Sequence, residues 1–351
     1  MAFRYKDKKT EELSEAISQH LLQEGPAPAA PEGSPSPGGF SGDSPFDFAV
    51  YDPDAGERVA YSNYSYWGST LRSFFKNRVA VFFLVLIAVT LLFTICEPLL
   101  PNPKEANTIY NDPVTGSFLR SVKPNGEYWF GTNDIGQDLW SQIWSGTRTS
   151  LFIGFMVACV DALMGVLIGV LWGYVRKLDF FFTELYNIFD NVPQTLVLIL
   201  ISYILRPGIT TMIFAMCLTS WLTTARFIRN QVVIIRDQDY NLASRCLGTH
   251  PLRIMVKNLL PYLVSIITMR MALAIPAAIG NEVFITYIGL GLPKEIPSLG
   301  NLIEAGRKVM LTASLRYQLL IPVAVLSVVT ISFYVIGNAF ADAADPKNHV
   351  E

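Results

Sequence analysis

The sequence predicts an all-α membrane protein that crosses a bilayer about six times. Three observations carry that expectation. The chain is 51% hydrophobic and only 16% charged, where soluble chains run at about 25% charged. Six runs are long and apolar enough to span, given that a bilayer-crossing helix needs roughly 20 residues. The charged residues gather between those runs.

The first run is Val79–Cys96, VAVFFLVLIAVTLLFTIC, and the second covers about Ser150–Tyr174. The third, about Leu185–Leu205, is weakened by Asp190, Asn191 and Pro193 near its start. The fourth is about Ile209–Ile228. The fifth, about Tyr262–Ile288, is interrupted by Arg270, Pro276 and Glu282, and Pro276 is expected to kink or locally unwind it. The sixth is Gln318–Phe340. Lys and Arg near the span ends favour a cytoplasmic N-terminus. Arg72, Lys76, Arg78, Arg176, Lys177, Arg226, Arg229, Arg236, Arg245, Arg253 and Lys257 then lie inside, against Lys104, Arg120, Lys123, Arg148, Arg206, Lys294, Arg307, Lys308 and Arg316 outside. Six spans return the C-terminus to the cytoplasm.

Residues 1–78 read as a largely disordered cytoplasmic arm. Thr10 starts a short helix with Leu13, Ile17 and Leu21 on one face. GPAPAAPEGSPSPGGFSGDSP, residues 25–45, has a linker's composition. Residues 67–78 bring aromatics and basic groups to the inner interface, as a membrane anchor does. The first span, 79–96, is followed by an outer loop, 97–149, rich enough in prolines, aromatics and turn residues to form a small lobe. Residues 150–347 make a core with five spans and an inner loop, 229–261.

Several chemistries are excluded. A net charge of −2 does not suit a nucleic-acid binder. His20, His250 and His349 have no metal-ligand spacing. Cys96, Cys159, Cys217 and Cys246 form no CxxC and read as small apolar side chains. The opening MAFRYKDKKTEELSE is charged and has no signal-peptide core. Walker A, HExxH, GxSxG and kinase signatures are lacking. Gly165, Gly169 and Gly173, every fourth residue in GVLIGVLWG, read as a helix-packing stripe. Charged groups inside spans are the functional candidates. Asp161, Arg270 and Glu282 either line a polar path, pair with one another or with backbone inside the bundle, or serve as ion-coupling sites.

The inner loop is the most informative stretch: DYNLASRCLGTHPLRIMVKNLLPYLVSIIT, residues 239–268. A short helix runs over about Tyr240–Leu247. Gly248 permits a sharp turn, and Pro251 starts a second helix because the first helical position tolerates proline. Leu260-Pro261 stands at the mouth of the fifth span. Leu242, Ala243, Cys246 and Leu247 are apolar or small although the loop lies outside the membrane, which suits docking into a partner's groove.

This loop resembles the signature of the permease subunits of binding-protein-dependent ABC importers: Glu-Ala-Ala, three residues, Gly, nine residues, Ile, one residue, Leu-Pro. Ala243, Gly248, Leu260 and Pro261 match. Leu242, Ser244 and Asn258 stand where the family has Glu, Ala and Ile. Other stretches look like the C-type subunit of oligopeptide and dipeptide permeases. Trp129–Asp138, WFGTNDIGQD, is similar to HWFGTDxxGRD, with Asn133 and Gln137 as departures. Gly146–Leu151 is similar to GxRxSL, and Asn281–Pro293 to EAxLSxLGLGxP. Pro297–Asn301 resembles PSWGN without its Trp, and Asp342–Pro346 resembles DxLDP.

The resemblance, over about residues 67–347, implies a type I ABC importer permease fold in a bacterial cell membrane. It implies a coupling role for the inner loop, with Leu242, Ala243, Ser244, Arg245, Leu247, Gly248, Pro251, Leu260 and Pro261 as its residues. The implied partners are a homologous second permease, two ATP-binding cassette ATPase subunits, an external binding protein and a peptide. This chain would bind no cofactor, ATP and Mg belonging to the ATPases, and would make and break no covalent bond. The rival reading is an ion-coupled secondary transporter using Asp161 and Glu282. It leaves the inner loop unexplained.

Overall fold

The computed structural model describes residues 66–100, 103–113 and 116–344, and these are helical apart from one lobe and the connections. The expected helix at Leu13–Leu21, the linker at 25–45 and the last motif residues, Asp345 and Pro346, lie outside the described residues.

Residues 67–78 are divided at one point. Helix α1, Tyr66–Lys76, stops at Asn77, whose Oδ1 accepts the Val79 and Ala80 N–H groups at 3.1 and 3.2 Å and so caps α2, Arg78–Cys96. Phe74 is buried against Ala80, Ala339 and Ala343, while Leu71 and Phe75 stay exposed. Along α2, Phe82, Val85, Leu92 and Ile95 face outward, as side chains in contact with lipid do.

The second span is longer than its apolar run. Helix α3, Leu139–Tyr174, has 36 residues and starts eleven before Ser150. Its first turns, LWSQIWSGTRT, are too polar for a hydropathy signal. Ser141, Gln142 and Thr147 are nevertheless buried, and Asp138 caps the helix by accepting the Ser141 N–H at 3.0 Å. The third run is not one straight span. It is divided into α4, Arg176–Asp190, and α5, Gln194–Ile204, bent by 77° at Asn191–Pro193. Proline disfavours α geometry at the residue before it and cannot donate to the ladder. Helix α6, Ile209–Arg236, runs past Ile228 and shortens the following loop. Helix α9, Leu260–Tyr287, continues through Pro276 where a kink or unwinding was expected. The irregular turn lies earlier, in the π-helical Met255–Leu259. An unexpected amphipathic helix, α10, Leu299–Val309, precedes α11, Tyr317–Ala344. Among the described residues, five helices are long and apolar enough to cross a membrane, or six elements if α4 and α5 count as one broken span.

Helices α3 and α6 form the tightest pair. A Cβ on Gly165 would meet the Thr224 side chain, one on Gly169 would lie 2.6 Å from the Ala225 carbonyl oxygen, and one on Gly173 would lie 2.7 Å from Val232 Cβ. The stripe works as expected: small residues bring backbones close where lipid supplies no hydrophobic drive.

The lobe between α2 and α3 is held by turns and three isolated bridges. Gly131 and Gly136 have φ of +75° and +91°. The two departures from the family motif pair with each other, Asn133 Nδ2 donating to Gln137 Oε1 at 2.9 Å. Gln318 Nε2 donates to the Thr132 carbonyl at 3.1 Å and ties the lobe to α11.

Candidate functional site

The loop after α6 holds a short helix at a fixed angle. Helix α7, Asp239–Cys246, is closed by Gly248 at φ +76°. The Gly248 N–H donates to the Arg245 carbonyl at 2.9 Å and the Thr249 N–H to the Ser244 carbonyl at 3.1 Å, the two bonds of a Schellman end. Nothing lies within 4 Å of a Cβ built there, so backbone conformation rather than space calls for glycine. His250 Nδ1 accepts the Leu252 N–H at 3.3 Å, and Pro251 opens the four-residue helix α8, Pro251–Ile254. Leu260 and Pro261 form the first turn of α9.

Tyr240, Leu242, Ala243, Cys246 and Leu247 are exposed, Leu247 by 86%, and Leu252 and Val256 extend the apolar surface. Ser244 Oγ turns back to donate to the Tyr240 carbonyl at 2.8 Å. Arg245 points at the bundle, its guanidinium 5.2 Å from the Tyr174 ring centroid. Sequence reasoning missed the anchor. Asn241 is fully buried, donates to the Ile235 carbonyl at 2.8 Å, and accepts from Asn258 Nδ2 at 3.0 Å. Asn258, one of the departures from the family pattern, thereby joins α7 to the π-helical turn before α9. The usable signal was a carboxamide at a position where the family has isoleucine.

The anchor continues into the bundle. Arg236 donates to the Gly173 carbonyl at 2.8 Å and pairs with Asp237 at 3.0 Å; that hydrogen bond holds the Asp237 carboxyl below its usual range. Asp179 on α4 accepts from Arg229 at 2.7 and 2.8 Å and from Trp172 Nε1 at 2.9 Å. Hydrogen bonds thus link α7 to α6 and to the turn before α9, and α6 in turn to α3 and α4.

The three intramembrane charges separate into two places. Glu282 is fully buried. It accepts from Ser150 Oγ at 2.9 Å and Thr286 Oγ1 at 3.2 Å, and Ser150 Oγ in turn accepts the Leu299 N–H at 3.2 Å. This junction ties α3, α9 and α10 together. Gly146 meets the Ser298 backbone, and Arg148 donates to the Thr94 carbonyl at 2.7 Å and pairs with Glu97 at 3.3 Å. The family-like segments from 146, 281 and 297 therefore converge on one structural joint. Asp161 and Arg270 instead line a cavity of 180 Å³ between α3, α5, α6 and α9. Among the described residues, no cluster of three His, Cys, Asp or Glu could hold a metal ion.

Residues 165–350 match the family described as binding-protein-dependent transport system inner membrane component, and residues 65–115 match the N-terminal TM domain of oligopeptide transport permease C. The chain is 36% identical to the oligopeptide transport system permease protein AmiD of Streptococcus pneumoniae, over 87% of this chain and 97% of that protein. It is 31% identical to the oligopeptide transport system permease protein OppC of Bacillus subtilis, over 86% and 96%. It is 32% identical to the dipeptide transport system permease protein DppC of Bacillus subtilis, over 83% and 89%. A solved structure, the inward-facing MetNI methionine ABC transporter, aligns with a TM-score of 0.48 at 19% identity, over 57% of this chain and 94% of that one. This chain belongs to the binding-protein-dependent transport inner membrane component family and is a multi-pass permease subunit of an ABC transport system.

Proposed function

We propose that this chain forms half of the translocation path of a peptide importer, paired with a homologous permease and driven by two ATPase subunits on the cytoplasmic face, with the α7–α8 loop as this chain's docking element. The observation that carries the docking assignment is the exposed apolar face of α7, presented by a helix that Asn241, Asn258 and Gly248 hold in place. Support for peptide cargo comes from the similarity to permeases named for oligopeptides and dipeptides. ATP binding and hydrolysis on the partners would shift the bundle between inward-open and outward-open packings. The test is uptake of a labelled oligopeptide into liposomes containing the assembled complex. Uptake should require both ATP and the external binding protein. Uptake driven by an ion gradient without ATP would sink this reading in favour of the secondary transporter.

The proposed orientation places both termini and the α7–α8 loop in the cytoplasm, with the lobe and α10 on the other side. Cys246 is exposed on α7 and serves as a natural probe. A membrane-impermeant thiol reagent should label Lys123→Cys in intact cells and should reach Cys246 only after permeabilisation. Labelling of Cys246 in intact cells would invert the topology.

A further inference from the structure

The cavity between α3, α5, α6 and α9 has a chemistry that the family assignment does not explain. Asp161 is buried near the middle of α3, and its Oδ2 accepts from Thr224 Oγ1 at 2.8 Å. Its Oδ1 is buried without a hydrogen-bond partner. Across the cavity, the Arg270 guanidinium lies 3.7 Å from the Phe227 ring centroid, which fixes its plane, and its Nε is also buried and unpartnered. The two line one space yet close no ion pair with each other. A structural pair would be expected to meet, because a buried charge left without its partner is strongly unfavourable. An ion site is equally ill-matched, since a lone cation would face Arg270 and a lone anion would face Asp161. A dipolar ligand satisfies both.

We propose that this cavity is a way-station for the C-terminal end of the translocating peptide. Arg270 takes the terminal carboxylate, and Asp161 Oδ1 accepts a main-chain N–H one residue upstream. Gln194 and Asn281, also on the wall, supply carboxamides for the adjoining peptide group. The inference rests on the peptide-importer reading. The volume of 180 Å³ has room for several waters and for a chain end. Contacts restricted to main-chain groups also fit a path that must pass many side chains, because every peptide carries those groups whatever its sequence.

The test uses the assembled complex in liposomes. The binding protein is preloaded with either a free-acid peptide or its C-terminal amide, so that its own selectivity drops out. The wild-type complex should import the acid about tenfold faster, the scale of one charge-assisted hydrogen bond. R270Q should erase that preference by slowing the acid about tenfold more than the amide. Equal slowing of both peptides would show a purely structural arginine and overturn the inference alone. If R270Q fails to assemble, R270K, which keeps the charge, should assemble and retain the preference; an assembled R270K without it overturns the inference. A wild-type complex that imports neither peptide, while assembled and hydrolysing ATP, would overturn the peptide reading itself and this inference with it.

Discussion

Gly248→Val is expected to leave the chain inserted in the membrane while reducing ATP-driven uptake by about tenfold or more. The left-handed conformation costs an ordinary L-residue roughly 1–2 kcal/mol and a β-branched one more, and each 1.4 kcal/mol is about a factor of ten in a docking equilibrium. No clash contributes, because the space around a Cβ at 248 is empty. Substitutions should therefore rank by backbone tolerance rather than by size. Asparagine, which enters this region readily and is accepted at helix ends, should retain most activity, alanine less and valine least. Peptide uptake measured beside ATPase copurification and substrate-stimulated ATP turnover checks this. Normal uptake and stimulation in Gly248→Val, or a ranking that follows side-chain volume, would remove the turn from the coupling mechanism.

Gly169→Leu is expected to fail at assembly. A Cβ alone at 169 would lie 2.6 Å from the Ala225 carbonyl oxygen and 2.8 Å from Ile228 Cβ. Neither backbone oxygen nor a β-branched carbon on a packed helix can move aside without separating α3 from α6. Overpacking of this kind costs about 1–3 kcal/mol or more, in a pair held by close approach rather than by the hydrophobic effect. The measurement is the yield of folded, partner-bound complex in mild detergent, with Gly169→Ala as the graded control. A Leu variant that assembles at the wild-type level with altered cargo preference would show that the stripe faces the path instead.

The contrast between the two glycines explains what was legible in the sequence. Gly248 followed from local rules: a helix, a proline three residues later, and a reversal between them. The stripe at 165, 169 and 173 was visible as a period, though its partner, α6, was not. The apolar cores of the spans were legible because a membrane demands continuous hydrophobic length. The beginning of α3 was hidden because Ser141, Gln142 and Thr147 are buried by the lobe and α10 rather than by lipid. Helix α10 was missed although Leu299, Leu302, Ile303 and Gly306 have a helical period and Ser298 caps it. It is only eleven residues long and half polar, so it has none of the continuous hydrophobic length of a span. The division of Asp161 and Arg270 from Glu282 depends on which helices pack together, and no local pattern encodes that. The same holds for Asn241 with Asn258, whose pairing follows from the path of the chain between them.

The Glu282 junction also orders events in time. Ser150 and Leu299 are 149 positions apart and Ser150 and Glu282 are 132 apart. At a synthesis rate of about 5–20 residues per second, roughly 7–30 s separate the emergence of Ser150 from that of the amide it finally receives. Until Glu282 follows, 132 positions on, the Ser150 hydroxyl has neither of the two partners it meets in the folded chain. When Glu282 arrives, the chain must accommodate an acidic residue in a half-built bundle until α10 closes over it. Nascent chains ending before residue 299 therefore leave that joint open.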